Sequence, residues 1–322
     1  KHHNRSNDLY SFLSEKLKYY RFDNIARGAQ EFIEENVVKL FKNIYEQTGI
    51  NKFVYSGGLA MNVKVNKLLH EQKFVKDLFV PASPDDSGTC IGACYELAKQ
   101  NNIKSYAIKN YYLGPVIKDN DSKKIIYDNK KINNTNYVIK EDVSIDEIVD
   151  LLTKGEIVGR ASNAMEFGAR ALGNRSIFAN PGFDGIVKKI NETIKNRDFW
   201  MPFAGTVCEE LSGHCLRNPK KIDGSFMTIS YDSIGEVHKF RSATHQYDNT
   251  IRAQILYKEQ NPWYYELIMK FFEKTQIPLL LNTSLNVHGK PIVRNASQAI
   301  ELFENTSLEN IIIGNTLLSK KI

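Results

Sequence analysis

Lys52-Phe-Val-Tyr-Ser56-Gly57-Gly58 decides the fold class. Its first five residues read as a strand. They run straight into two glycines and a helical segment over about 59–71. The arrangement then returns. Asp77–Val80 reads as a second short strand, entering Pro81 and the turn-rich Ser83-Pro-Asp-Asp-Ser-Gly88, and a helix follows over about 88–100. Strand–loop–helix twice in succession is an α/β pattern. Upstream, residues 7–48 read as helices. Ile25, Ala29, Phe32, Ile33, Val37, Leu40, Phe41 and Ile44 recur at i+3/i+4 spacing until Gly49 stops the run.

Downstream, polar Asn101-Asn-Ile-Lys-Ser105 reads as a linker, and an Asn/Lys-rich stretch extends to about 142. Residues 143–154 suit a short helix, with Ile145, Ile148, Val149 and Leu152 on one face. Strands are expected at 156–162, 174–179, 225–231 and 251–257. Helices at 184–195, 262–275 and 296–304 interleave with them. No repeat at a solenoid period is visible. The expected organisation is therefore an α/β region over 1–106 and a larger α+β region over 107–322.

A length of 322 residues suits about two domains. Hydrophobic residues at 42% and charged residues at 25% exclude a disordered chain. The longest apolar runs, Ile277-Pro-Leu-Leu-Leu281 and Ile311-Ile-Ile313, fall far short of the roughly 20 residues a membrane helix needs. Lys and Arg number 43 against 37 Asp and Glu, a net charge of +6. That suits anionic small molecules and is too weak, alone, to argue for nucleic acid. Cys90, Cys94, Cys208 and Cys215 form no CxxC pair, and no signal-peptide pattern is present. Cys90 and Cys94, at i and i+4 beside Ala93 and Leu97, read as small core residues. A reduced, cytoplasmic setting is expected. The opening Lys1-His-His-Asn, without Met, reads as a trimmed chain.

Six clusters carry candidate chemistry. Ser56-Gly57-Gly58 permits close backbone approach at a helix start, although a Gly-Gly turn at a strand end also has a structural reading. Asp85-Asp86-Ser-Gly88 offers carboxylates to a metal or simply to the helix as a cap. Glu166-Phe-Gly-Ala-Arg170-Ala-Leu-Gly173-Asn-Arg175-Ser176 is denser. Arginine forks match phosphate and carboxylate oxygens, and the glycines let backbone approach them. Lys195-Asn-Arg197 with Trp200-Met-Pro-Phe203 is a second basic cluster, or a solvated face. His245, Asp248, Thr250, Arg252 and Gln254 come next; the last four alternate along one strand face, which would also suit water. Asn282-Thr-Ser284-Leu-Asn286-Val-His-Gly289 follows the apolar strand Pro278–Leu281 as a polar loop, either a ligand site or a turn held by its own side chains.

In order and spacing these clusters resemble the nodulation-protein/cephamycin/tobramycin type of O-carbamoyltransferase, from about Asn24 to the C-terminus. Glu166–Ser176 resembles the family's EFGPRALGNRS, Asn282–Val293 its NTSFNxxGxPIV, and Tyr55-Ser-Gly-Gly-Leu-Ala-Met-Asn62 its GGxxLN loop. The resemblance implies the second half of an actin/Hsp70-like domain over 1–106, followed by a YrdC-like α+β carbamoyl-adenylate-forming domain over 107–322. It implies that carbamoyl phosphate and ATP, with Mg2+, give carbamoyl adenylate and pyrophosphate. The carbamoyl group then passes to a hydroxyl of a small-molecule acceptor, beside Fe2+ or another divalent metal.

Carried over by position, Arg170, Arg175 and Ser176 would hold phosphate oxygens, with Glu166 orienting an arginine. Lys195 and Arg197 would neutralise charge as the adenylate forms. His245 and Arg252 would share that cleft. Asn282, Ser284 and Asn286 would face the nucleotide or carbamoyl group, Gly57, Gly58 and Asn62 would approach the adenylate, and Asp86 would supply a metal carboxylate. Departures are Met201 where the family often has arginine, Ala169 for proline, Asn180 for an acidic residue and Leu285 for Phe. The family's first domain also has an upstream half with an HxxxH-type metal motif that His2-His3 does not match. This chain is therefore expected to support at most the first half-reaction. Two other readings stay open. One is a tRNA-threonylcarbamoylating module, which needs a contiguous basic surface. The other is a non-catalytic nucleotide-binding protein, for which Met201 is the support.

Overall fold

A computed structural model describes residues 6–133, 135–198 and 200–321. Helices α1 (Ser6–Leu17) and α2 (Phe22–Thr48) open the chain, and Gly49 closes α2 in the left-handed conformation with φ 71°. Strand β1 (Lys52–Val54) leads through a 3-10 turn at Gly58–Met61 into α3 (Val63–Glu71). Strand β2 (Asp77–Phe79) leads through a second 3-10 turn into α4 (Thr89–Gln100). Among the described residues the two strands pair only with each other, in parallel. The repeated strand–loop–helix unit is thus present, with short strands.

The Asn/Lys-rich stretch holds elements that its polarity concealed: β3 (Val116–Ile117), α5 (Asp119–Asp128) and β4 (Tyr137–Lys140). Helix α6 (Ile145–Thr153) starts at a capping box, in which Ser144 and Glu147 satisfy each other's backbone amides. Then follow β5 (Val158–Ala161), β6 (Asn163–Ala164), β7 (Arg175–Ala179), α7 (Ile186–Ile190), β8 (Ala204–Cys208), β9 (Ser230–Asp232) and β10 (Thr250–Leu256). The chain ends with α8 (Pro262–Thr275), β11 (Leu279–Ser284), α9 (Ala296–Asn305), β12 (Asn310–Ile313) and β13 (Thr316–Lys320). Nine strands make one mixed sheet in the order β4-β13-β12-β5-β7-β11-β8-β10-β9. Its central strands β5, β7 and β8 are buried along their whole length. That explains their apolar runs without alternation.

Three sequence expectations shift here. Residues 225–229 are not strand: Met227 sits at φ 57° and the Asp223 carboxylate caps Ser225, so the chain turns before β9. Residues 191–195 form a wider π turn after α7, and Asn196 ends it at φ 50°. Cys90 and Cys94 are exposed, because α4 buries none of its residues. Cys208 and Cys215 are buried.

The first unit sits against the large sheet through paired polar groups. The Asn66 amide nitrogen donates to Thr228 O at 2.7 Å, and Ser230 Oγ to Val63 O at 3.1 Å. Lys220 Nζ donates to the carbonyls of His70, Gln72 and Val75 at the end of α3. Val65, Leu69 and Leu78 belong to the same apolar cluster as Tyr231 and Ile251.

Candidate functional site

The candidate residues of the large sheet gather at one end of it. The start of β7 (Arg175, Ser176) lies opposite the end of β11, with Ser284 paired to Ser176 and Asn282 to Phe178. Asn282 pairs on its other side with Ala204, at the start of β8. Arg252 stands near the start of β10, which runs parallel to β8.

The loop entering β7 is folded around Glu166. One carboxylate oxygen accepts the backbone amides of Leu172, Asn174 and Arg175 at 2.8, 2.6 and 3.1 Å. Glu166 therefore organises backbone; the expected arginine orientation is not its bonding pattern. Gly173 lies at φ 117°, and a Cβ there would stand 2.4 Å from the Tyr264 ring. Both facts demand glycine. Ser176 Oγ accepts the Gly173 amide at 3.0 Å. It too braces the loop.

The arginines divide sharply. Arg175 is fully buried. It donates to the carbonyls of Ser162, Asn174, Pro115, Asn163 and Arg294, between 2.7 and 3.3 Å. Its two terminal nitrogens are thus engaged by the chain itself, while Nε is buried without a partner. Arg170, Arg197 and Arg252 have no carboxylate partner among the described residues. Burial lowers all three from the ordinary arginine value. Arg252 is depressed further by the charges of Arg170 and Arg197, so the three guanidiniums share one neighbourhood. Arg252 Nε and an Arg197 terminal nitrogen are buried without hydrogen-bond partners. Arg197 is held by Asn191 at 2.7 Å and lies 4.2 Å over the Phe203 ring. The aromatic neighbour seen in sequence thus acts as a platform.

Lys195 is 2% exposed. Its ammonium donates to Ser284 O, to Ser284 Oγ at 3.1 Å and to Asn286 Oδ1 at 2.8 Å. Burial, and then the charge of Arg197, push it down to about 7. Asn282 and Ser284 lie in the strand itself, since β11 pairs with β7 through Ser284. The expected polar loop therefore begins only after Ser284.

The other candidates lie apart from this cluster in their bonding. His245 Nδ1 is 3.2 Å from Asp248, whose carboxylate also pairs with Lys64 of α3. Gly57, at φ 109°, donates its amide to Pro84 O at 2.6 Å. Gly58 opens the following 3-10 turn. Asn62 accepts the amides of Lys64 and Val65, both at 3.2 Å, and so caps α3. Asp85 accepts from Ser87 and Ser83, which is the capping reading of that loop. Asp86 is exposed, and among the described residues no three His, Cys, Asp or Glu side chains are grouped to hold a metal. Asp86 by itself is a single exposed carboxylate. The two loop systems do meet: a Cβ on Gly168 would stand 2.6 Å from Ala82 O.

Sequence reading missed Arg160. It is 2% exposed, lies 3.9 Å over the Trp263 ring and donates to Gly173 O at 2.8 Å and to Asn174 Oδ1. Its signal was a lone charge inside the apolar run Ile157-Val-Gly-Arg160-Ala161.

Sheet and site together define a mixed α/β protein with a desolvated cationic cluster suited to phosphate and carboxylate groups. Residues 149–320 match the family described as Carbamoyltransferase C-terminus, and residues 3–95 match Carbamoyltransferase N-terminus. The chain belongs to the carbamoyltransferase family. It is 34% identical to an uncharacterized protein of Methanocaldococcus jannaschii, over 92% of this chain and 56% of that protein. It is 28% identical to nodulation protein NolO of Bradyrhizobium diazoefficiens, over 92% of this chain and 55% of that protein. The chain thus spans about half the length of these relatives. A crystal structure of HypF with phosphate and nucleotide bound is similar at a TM-score of 0.38 and 18% identity, over 57% of this chain and 22% of that one.

Proposed function

We propose that this chain carries the activating step of an ATP-dependent O-carbamoyltransferase. Residues 107–322 form the carbamoyl-adenylate-forming unit. Residues 1–106 are part of an actin/Hsp70-like transfer unit. The observation that carries the reading is the cluster of Arg170, Arg197 and Arg252, gathered in one neighbourhood with no ion-pair partner among the described residues. All three side chains are half-buried; unpaired charges drawn partly out of water are costly, and native chains keep them where a ligand of opposite charge completes the set. Two polyanions, ATP and carbamoyl phosphate, supply that charge.

Atom balance sets the chemistry. Water opens the carbamoyl–phosphate bond and frees phosphate. A carbamate oxygen then bonds to the α-phosphorus of ATP, and pyrophosphate leaves with the electron pair. The reaction needs positioning and charge neutralisation more than covalent help from the protein. Arg170, Arg197, Arg252 and Lys195 neutralise the phosphates. Ser284 and Asn286 hold the ammonium of Lys195 in place. Glu166, Ser176 and Arg175 keep the loop that presents Arg170. The missing arginine at Met201 leaves three guanidiniums in the cluster. Mg2+ accompanies ATP as part of the substrate. A small-molecule hydroxyl is the acceptor, and the carbamoyl group reaches it through the first unit.

The test is phosphate and pyrophosphate release by the 322-residue chain, with ATP and carbamoyl phosphate each omitted in turn. Release of pyrophosphate that requires both is expected. Release that ignores carbamoyl phosphate would mark a plain ATP-cleaving protein. No release, with no pyrophosphate binding by a folded chain, would overturn the anion site.

A further inference from the structure

Asn282 is 1% exposed, in the middle of three strands. Its side-chain nitrogen donates to Ala171 O at 3.2 Å and to Thr206 Oγ at 3.1 Å. A carbonyl oxygen can only accept, so the contact with Ala171 fixes which end of the amide is nitrogen. Thr206 Oγ spends its own hydrogen on Gln254 Oε1 at 3.1 Å, so it can only accept from Asn282. Two independent partners therefore lock the amide in one orientation. The other end, Oδ1, is buried and has no hydrogen-bond partner.

An orphaned buried acceptor calls for an explanation, because native structures satisfy nearly all such groups. Its position supplies one. Ala171 follows Arg170 in the chain, and Ser284, two residues along β11, holds Lys195. Asn282 and Arg252 flank the start of β8, two strands (about 10 Å) apart, with the small Ala204 between them. The fixed acceptor thus lies on the sheet between Ser284, which holds Lys195, and the strand that carries Arg252. Those cations offer donors alone. A ligand that brings both an anionic oxygen and an N–H is satisfied by the pair; a ligand with a methyl in place of the N–H is not.

We infer that Asn282 reads the amino group of the carbamoyl substrate and so separates carbamoyl phosphate from acetyl phosphate, which has the same shape and charge but no N–H. This rests on the carbamoyl-activating reading above. The locked amide is what gives it selectivity, since a free amide would turn its nitrogen toward either ligand. Sites built to hydrogen-bond a substrate group reject the analogue that lacks it far more strongly than apolar pockets do.

The experiment measures binding of carbamoyl phosphate, acetyl phosphate, ATP and pyrophosphate to the 322-residue chain by calorimetry. The wild-type chain should bind carbamoyl phosphate at least ~100-fold more tightly than acetyl phosphate. In Asn282→Leu, of similar volume, the ratio should fall below about 10-fold. Equal binding of the two by the wild-type chain overturns the inference, and that comparison needs no variant. A ratio that survives in Asn282→Leu overturns it as well. So does a variant whose loss falls on ATP relative to pyrophosphate, because Asn282 would then be reading the adenine amine. Pyrophosphate that fails to bind the wild-type chain removes the arginine site itself, which is a separate result.

Discussion

Arg252 and Arg175 are both arginines on strands of one sheet, yet opposite consequences follow from their surroundings. Arg252 is desolvated beside two like charges. Its removal should cost the fold little. Arg252→Gln should weaken pyrophosphate binding roughly 10- to 100-fold, about 1.5–3 kcal/mol for a hydrogen bond to a charged group. Its melting temperature should hold or rise. Arg175 donates to five carbonyls. Arg175→Ala removes all five bonds and empties a fully buried site, although Pro115 O and Asn174 O each keep a backbone amide; it should lower stability by on the order of 3 kcal/mol in denaturant unfolding. If the two variants exchanged these phenotypes, the division of the arginines would be wrong.

Lys195 adds a pH signature. Burial and Arg197 take its ammonium from 10.5 to about 7 in the folded chain. Between those values the unfolded chain binds the extra proton, so Lys195 makes stability rise with pH across that window; the penalty is complete below about 7. An arriving anion reverses the balance by favouring the charged form. Pyrophosphate binding at pH 8 should therefore take up protons, seen as a binding enthalpy that depends on the buffer's ionisation heat. Lys195→Met should abolish that dependence. An unchanged dependence in the variant would assign the proton elsewhere.

At the scale of the element, the Glu166 loop shows how far sequence reading reaches. The cluster of arginines, glycines and a carboxylate stood out in the sequence as a candidate anion loop, but its partners were not legible. Spacing cannot tell that Glu166 folds back on three amides, or that Arg175 points into the chain, because both depend on where Pro115 and Arg294 come to rest. Periodicity found α8 to the residue and β1, β2, β5, β7 and β10 to within two, but gave no sign of the strands β3, β6, β8, β12 and β13. It ended β11 too early, since Asn282, Thr283 and Ser284 look like loop and are held in the sheet by β7. It also missed α5 and β4, where polar side chains mask short elements. The loop's geometry makes its own prediction. Gly173→Ala meets the Tyr264 ring and a positive φ, and should cost about 1–3 kcal/mol. The smaller ring-deleted background Tyr264→Ala should recover only the steric share.

Across the whole molecule, apolar exposure is uneven. Tyr19, Phe22, Phe32, Val54, Leu97 and Tyr106 are all more than half exposed, and all lie in the first unit. Strands β1 and β2 form a parallel pair with no third strand among the described residues. Parallel sheets usually need cover on both faces, and two strands alone are marginal. The amides of 52–54 and 77–79 should therefore exchange with deuterium orders of magnitude faster than those of 175–179 and 279–284. Comparable protection would show that the first unit is as firmly held as the sheet. The contacts of Lys220 and Asn66 tie it to the larger unit. They are also where sequence alone was silent, because they join residues about 150 positions apart.

The proposed role of the arginine cluster is to activate a carbamoyl group with ATP. The most direct measurement is pyrophosphate release with both substrates, compared in the wild-type chain and in the Arg170→Gln/Arg252→Gln double variant. Release should depend on carbamoyl phosphate in the wild type and fall at least ~100-fold in the variant, whose fold should be retained. Release that continues undiminished in the variant, or that proceeds equally without carbamoyl phosphate, would contradict it.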